Sequence, residues 1–200
     1  MNLSYFEKMR YFLFRFIERG LFLLFNQKNA IMIEEYMVSF FPSLAKEYCL
    51  TRETVTSNEI QYLKTLRIEN YEAIVIVGGG ATPFTAIHWA SLYPIPVVVL
   101  DKNKLAKEAS EKLIRKLGFK NIKIINQYGE DYNGYKNCII IISLYADNKE
   151  MILKKILENA GGKIVIFLRS FIDEQHDSLI KKWQIIDQNA NFRTLVTVIN

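Results

Sequence analysis

The chain has 200 residues, half of them hydrophobic and 24% charged, a composition that predicts a folded domain with its own core and excludes wholesale disorder. Its two cysteines, Cys49 and Cys138, form no CxxC pair, which excludes a disulfide scaffold and favours a reducing cytoplasm. The net charge is +5 but the basic residues are scattered, so no nucleic-acid partner is expected. With only two histidines, no metal site is expected.

The N-terminal region, residues 1–70, has a helical pattern. An aromatic amphipathic helix is followed by a second helix from Ala30 to Phe41, which Pro42 ends. Charges at Arg15 and Glu18 interrupt the apolar stretch, so it fits neither a signal peptide nor a spanning helix. These aromatic helices are candidates to pack on the rest of the chain, on a second copy of it, or on a membrane surface.

A further helix precedes the core of the chain. Ser57 is placed to cap it, and Ile60, Leu63 and Leu66 share one face. We therefore divide the chain into a helical region of residues 1–70 and a second domain of residues 71–200.

Strand and helix patterns alternate from residue 71 onwards. Short β-branched runs predict strands buried on both faces, as in a parallel sheet. The predicted strands are 73–77, 96–100, 122–125, 138–142, 163–168, 184–186 and 194–199, and the predicted helices are 85–93, 104–117 and 149–158. This alternation predicts a three-layer, Rossmann-like α/β fold with a mostly parallel sheet. A short turn separates the last two strands, which we expect to form an antiparallel pair.

In such sheets, ligands bind beyond the carboxyl ends of the strands. Three glycines, Gly78, Gly79 and Gly80, follow the first predicted strand, and Asp101 and Lys102 follow the second. Glycines let the backbone approach a ligand closely, and an acid about 20 residues further on accepts hydrogen bonds from ribose hydroxyls. Together they predict a nucleoside site. Further candidates follow the third and fourth strands: Gln127, Gly129, Glu130, Ser143 and Tyr145.

The loop also indicates which nucleoside is bound. Pro83 stands where the NAD fingerprint has its third small residue, and no Gly-Lys-Ser/Thr of a P-loop follows. S-adenosylmethionine needs no pyrophosphate cradle and is the remaining candidate. The strand, glycine loop and acid, with the C-terminal strand pair, resemble the class I methyltransferase superfamily. The acid usual early in that glycine motif is missing, since Val75 and Ile76 stand in its region.

One family in that superfamily is similar in more detail. The segment Val77-Gly-Gly-Gly-Ala-Thr-Pro-Phe-Thr-Ala-Ile87 resembles the nicotianamine synthase loop, and Leu168-Arg169-Ser170 is similar to the Arg-Ser after its fifth strand. The resemblance implies transfer of the aminobutyl group of S-adenosylmethionine to an amine. The family's Asn-Tyr pair is absent, although Glu59 lies near the position of its glutamate. Phe171-Ile-Asp173 replaces its Ala-His-Gly.

These observations predict that the protein is a transferase that uses S-adenosylmethionine and acts on a small molecule, such as an amine or amino acid. Either methyl or aminobutyl transfer remains open. We expect Glu59 or Tyr145 to accept the acceptor's proton and Arg169 to hold a substrate carboxylate. The alternatives are an inactive nucleoside-binding or regulatory module of the same fold, and an NAD-binding domain, against which Pro83 argues.

Overall fold

The computed structural model describes residues 56–159, 161–174 and 182–199, together with residues 16–17, 20–21, 23–24, 29, 33 and 35–38. Within these residues, seven strands form one sheet. They are β1 (Ala73–Val77), β2 (Val97–Asp101), β3 (Ile122–Asn126), β4 (Cys138–Ile142), β5 (Ile164–Phe171), β6 (Gln184–Gln188) and β7 (Phe192–Ile199).

A helix precedes β1, and three others connect β1 to β2, β2 to β3 and β4 to β5. They are α1 (residues 56–63), α2 (Phe84–Leu92), α3 (Lys104–Leu117) and α4 (Lys149–Asn159). Local chemistry sets the ends of α3. The Asn103 side chain accepts hydrogen bonds from the backbone N–H groups of Leu105 and Ala106. Gly118 closes the helix in the left-handed conformation, with φ of 79°, which glycine adopts without steric cost.

The strand order is β3-β2-β1-β4-β5-β7-β6. The first five strands along the chain pair in parallel, while β7 runs antiparallel to both β5 and β6. The prediction of a mostly parallel sheet with a C-terminal antiparallel pair is therefore confirmed. The order reverses between β1 and β4, and this reversal opens a crevice at the carboxyl ends of those strands.

The structure corrects three predicted positions. Arg169 and Ser170 do not follow the fifth strand but lie within it, because β7 continues the antiparallel pairing as far as Phe171 and Phe192. Ser57 does not cap α1, because residue 56 is already helical. Asp101 is likewise the last residue of β2 rather than the first residue after it.

The central strands β1, β2, β4 and β5 are buried on both faces, which explains their apolar runs. Side chains of β1, β2, β4 and β5 alternate between two core clusters. On one face, Ile76 packs with Trp89 of α2, Leu113 of α3 and Leu63 of α1. On the other, Val77 packs with residues of α4 that include Ile152 and Ile156. These three layers agree with the predicted fold class.

The N-terminal residues that the structure describes are helical. Val38 is fully buried and belongs to the same core cluster as Leu63 and Ile76. In contrast, Phe16 and Leu23 are largely exposed. Pro42 and most of both predicted N-terminal helices lie outside the described residues, so a contact with a second copy or a membrane surface stays a prediction. Among the described residues, no helix is long and apolar enough to cross a membrane.

Ile141→Ala tests the contribution of the central strand. Ile141 of β4 has no exposed surface, so truncation leaves a cavity, and we expect a loss of about 2–5 kcal/mol in the free energy of unfolding. Urea denaturation measures it. Lys123→Ala, on an exposed position of β3, is the control and should change stability by less than about 0.5 kcal/mol. Equal effects of the two variants would contradict this description of the core.

Candidate functional site

The loop after β1 has a backbone conformation that glycine makes possible. Gly78 and Gly80 have φ of 83° and 67°, values that residues with a Cβ rarely adopt. Gly79 lies between them against Val99 of β2. The loop leads into α2, so its backbone lies at the carboxyl edge of the sheet, where the strand order reverses.

Asp101 connects this glycine loop to the neighbouring loops. Its Oδ2 accepts a hydrogen bond of 2.7 Å from the Gly80 backbone N–H, and its Oδ1 accepts one of 2.8 Å from the Asn103 N–H. The Asn126 side chain, at the end of β3, donates to the Asp101 carbonyl. Because β1, β2 and β3 are parallel neighbours, residues distant in sequence meet here at one edge.

A cleft of about 100 Å³ opens beside the glycine loop. Its walls come from the ends of β1 and β2 and from the loops after β3 and β4. Of the predicted site residues, it is lined by Gly78, Asp101, Lys102, Gln127, Gly129, Glu130 and Tyr145. The structure thus brings together residues from four separate loops, as the position of the strand ends predicted.

Among the cleft residues that the sequence did not indicate are two polar ones, Asp147 and Asn148. Asp147 forms an ion pair with Lys102, and this contact raises the pKa of Lys102. Asn148 donates a hydrogen bond of 2.8 Å to Glu130. Both belong to the loop after β4, so the same strand-end rule that selected Tyr145 would have found them had it been extended by two or three residues.

The other predicted residues near the cleft have structural contacts of their own. The Ser143 N–H donates to the Val77 carbonyl, and its side chain lies against Gly78. Gln127 donates to the Asp131 carbonyl. The Tyr145 ring packs edge-on against Phe171, with centroids 5.7 Å apart, which places it between the cleft and the end of β5.

Glu59 and Arg169 meet as a buried ion pair. The Arg169 Nε and one terminal nitrogen donate to the two Glu59 carboxylate oxygens at 2.8 and 2.9 Å, and the other terminal nitrogen donates to Thr85 Oγ1 at 3.1 Å. Glu59 has no exposed surface and Arg169 only 4%. The pair joins α1, β5 and α2, and neither residue lines the cleft.

A second carboxylate, besides that of Asp101, contacts the glycine loop. Glu35 accepts a hydrogen bond of 3.1 Å from the Ala81 N–H through Oε2, and its backbone carbonyl accepts one of 2.7 Å from Thr82 Oγ1. The sequence reasoning did not select Glu35. It lies 46 residues before Ala81 in an aromatic helical region, and no local pattern connects the two.

Side chains that could support other chemistry lie elsewhere. Burial raises the pKa of the Cys138 thiol to about 12, so this cysteine stays protonated at neutral pH. His88 shares a hydrogen bond of 2.7 Å with Thr56. Within the described part of the chain, no group of three or more His, Cys, Asp or Glu side chains could hold a metal ion.

Comparison with known proteins identifies the fold. No protein-family model matches the sequence, and no curated protein is similar to it in sequence. A mutant of MtNAS, a nicotianamine synthase, in complex with S-adenosylmethionine superposes with a TM-score of 0.66 at 19% identity, over 92% of this chain and 76% of that one. MtNAS in complex with MTA and tNA gives 0.68 at 18%, over 92% and 74%.

A second kind of neighbour supports the same fold. An S-adenosylmethionine-dependent methyltransferase from Aquifex aeolicus superposes with a TM-score of 0.59 at 13% identity, over 80% of this chain and 98% of that one. At these identities the likeness shows the fold. It confirms the predicted resemblance to the methyltransferase superfamily in architecture, including the part shared with nicotianamine synthase.

Glu59→Gln tests the buried ion pair. The substitution leaves the Arg169 guanidinium without an opposite charge in a dry environment, so we expect a loss of about 3–5 kcal/mol in the free energy of unfolding. Urea denaturation of Glu59→Gln and of the exposed control Glu69→Gln measures it. The double variant Glu59→Met/Arg169→Met should regain most of the loss. A change below about 1 kcal/mol in Glu59→Gln would contradict the buried pair.

Proposed function

We propose that this protein is a transferase that uses S-adenosylmethionine and acts on a small molecule. One observation carries the proposal: the Gly80 N–H donates to the Asp101 carboxylate at 2.7 Å, beside a cleft at the reversal of the strand order. A glycine loop and an acid on adjacent parallel strands form the arrangement in which α/β proteins bind nucleosides.

The residues around the cleft fit the parts of this cofactor. Each Asp101 oxygen accepts one backbone N–H, which leaves lone pairs for two ribose hydroxyls. Polar groups beyond it suit the adenine base: Lys102, Gln127, Gly129 and Glu130. Gly78 lines the cleft with Ser143 beside it, and this position suits the sulfur and the amino-acid part, because a glycine carries no side chain that would keep a ligand at a distance.

The chemistry asks little of the protein beyond positioning. S-adenosylmethionine supplies an activated carbon on its sulfonium, and the acceptor displaces a neutral thioether from it. An amine acceptor must also lose a proton. Tyr145 lines the cleft between the glycine loop and β5, so it is our first candidate for the group that assists this proton transfer.

The roles predicted for Glu59 and Arg169 depend on their ion pair. Both Glu59 oxygens and all three Arg169 nitrogens already have partners. A proton-accepting Glu59 and a carboxylate-binding Arg169 therefore require the pair to open when the acceptor binds. If the pair stays closed, its role is to hold α1 against α2 and β5 beside the site.

This closed pair also favours a second candidate function, a nucleoside-binding module that does not catalyse transfer. In that case, the two residues proposed for the acceptor side serve only to stabilise the fold. The cleft around Asp101 would still bind an adenosyl ligand, so binding and turnover must be measured separately.

Calorimetry with S-adenosylmethionine, S-adenosylhomocysteine, methylthioadenosine and NADH tests the binding site. We expect wild type to bind the three adenosyl-sulfur ligands and to prefer them to NADH. Asp101→Asn should weaken adenosyl-ligand binding by about tenfold to a hundredfold, because it loses charge-assisted hydrogen bonds to ribose. The matched control Asp187→Asn lies on the outer strand β6 and should bind as wild type does. Absence of binding to all three adenosyl ligands would overturn the proposal.

The by-product separates the kinds of transfer. Incubation of wild type with S-adenosylmethionine and a set of amines and amino acids should release S-adenosylhomocysteine for methyl transfer, or methylthioadenosine for aminobutyl transfer. Chromatography with mass detection distinguishes the two. Tight binding without either by-product would support the non-catalytic module.

A further inference from the structure

A short segment of the N-terminal region lies directly on the glycine loop. Residues 35–38 are helical. Val38 anchors them in the core that also contains Ile76 and Ala86. The hydrogen bond from Thr82 Oγ1 to the Glu35 carbonyl fixes the backbone of the segment. These contacts hold the Glu35 side chain in a defined place, at the point where the loop enters α2.

The Glu35 carboxylate approaches the loop as closely as a glycine allows. It accepts the Ala81 N–H at 3.1 Å, and a Cβ added at Gly80 would collide with it. The preceding N–H, that of Gly80, donates to Asp101 at 2.7 Å. Two consecutive backbone N–H groups thus hold two carboxylates, one from the N-terminal region and one from β2.

Tyr36 extends the same contact towards the end of β2. Burial raises the pKa of Tyr36, the neighbouring Asp101 and Glu35 carboxylates raise it further, and a hydrogen bond with the Asn103 side chain lowers it. The segment therefore covers both the glycine loop and the acid proposed to bind ribose. It contacts the glycine loop beside the cleft, although it comes from a part of the chain outside the sheet.

We infer that Glu35 binds the positively charged amino group of the amino-acid part of S-adenosylmethionine, an inference that rests on the proposed function. Strand β1 carries no acid of its own, so the early acid expected in the glycine motif is missing. Glu35, which lies 46 residues before Ala81 in the chain, places a carboxylate on the same loop. After accepting the Ala81 N–H, a carboxylate retains lone pairs that can accept from an ammonium group.

The position of Glu35 assigns it to one end of the ligand. Asp101 reaches the loop from β2 and the nucleoside side of the cleft, whereas Glu35 lies one peptide further on, towards α2. A ligand whose ribose meets Asp101 would direct its other end along the glycine backbone. Glu35 should therefore discriminate between ligands that carry an amino acid and ligands that lack one.

Binding of three ligands to Glu35→Gln tests the inference. S-adenosylmethionine and S-adenosylhomocysteine carry the amino group, whereas methylthioadenosine has the same nucleoside and sulfur without it. The amide keeps an oxygen for the Ala81 N–H but loses the charge. We expect Kd to rise by about tenfold to a hundredfold for the first two ligands and to change by less than about twofold for methylthioadenosine.

The control variant is Glu158→Gln, an exposed position in the last turn of α4, and it should bind all three ligands as wild type does. Thermal unfolding of both variants shows whether the fold is intact. Because methylthioadenosine is not expected to depend on Glu35, its binding to Glu35→Gln reports on the proposed site independently of the inference.

Each other outcome overturns the inference in a recognisable way. An equal loss for all three ligands would make Glu35 a support of the loop rather than a ligand-binding residue. If Glu35→Gln binds all three ligands as wild type does, Glu35 is not part of the binding site. Tighter binding of all three would show that its carboxylate blocks the cleft. If wild type binds none of the ligands, the proposed function itself fails and the inference fails with it.

Discussion

The pairing of β1 with β2 on one side and with β4 on the other decides where this molecule can bind a ligand. Parallel register aligns Val77 with Leu100 and with Ile142, so three chain segments leave the sheet at the same edge. Chain connections must diverge there, because the strand order reverses between β1 and β4. Every residue that we place in the nucleoside site owes its position to this one reversal.

The Asp101 carboxylate provides hydrogen-bond acceptors at this edge of the sheet. Its two oxygens accept N–H groups from two different loops, so it orders the backbone around the cleft before a ligand arrives. Such preorganisation lowers the entropy cost of binding. The ion pair of Lys102 with Asp147 and the hydrogen bond of Asn148 to Glu130 connect the opposite wall in the same manner.

The buried ion pair, which lies outside the cleft, is built on a different principle. Glu59 and Arg169 neutralise each other away from water, and Thr85 Oγ1 accepts the remaining hydrogen bond of the guanidinium. A buried pair of this kind stabilises a fold little when intact but costs several kcal/mol when broken. It makes the position of α1 depend on β5 and α2, and so couples the helical region before the sheet to the helix that follows the glycine loop.

The sequence by itself determined the elements of the core and their class. The runs 73–77 and 138–142 match β1 and β4, and 104–117 matches α3, because apolar periodicity and end-capping residues act over a few neighbouring positions. It also selected half of the residues that line the cleft, since strand ends in an α/β sheet are predictable from the order of the elements. The sequence did not predict the full length of β5. Arg169 and Ser170 belong to this strand because they pair with β7, and such pairing depends on two strands that are distant in the chain.

Only the tertiary structure decided which charges meet. Glu59 and Arg169 are 110 residues apart, and Glu35 and Ala81 are 46 apart, so no local pattern brings either pair together. Their contacts follow from how α1 and residues 35–38 pack on the sheet, where burial makes an unpaired charge costly. From the sequence, Glu59 and Arg169 were predicted as two separate functional residues, whereas the structure shows that they form an ion pair. No sequence pattern predicted Glu35 as a site residue, but in the structure its carboxylate contacts the glycine loop.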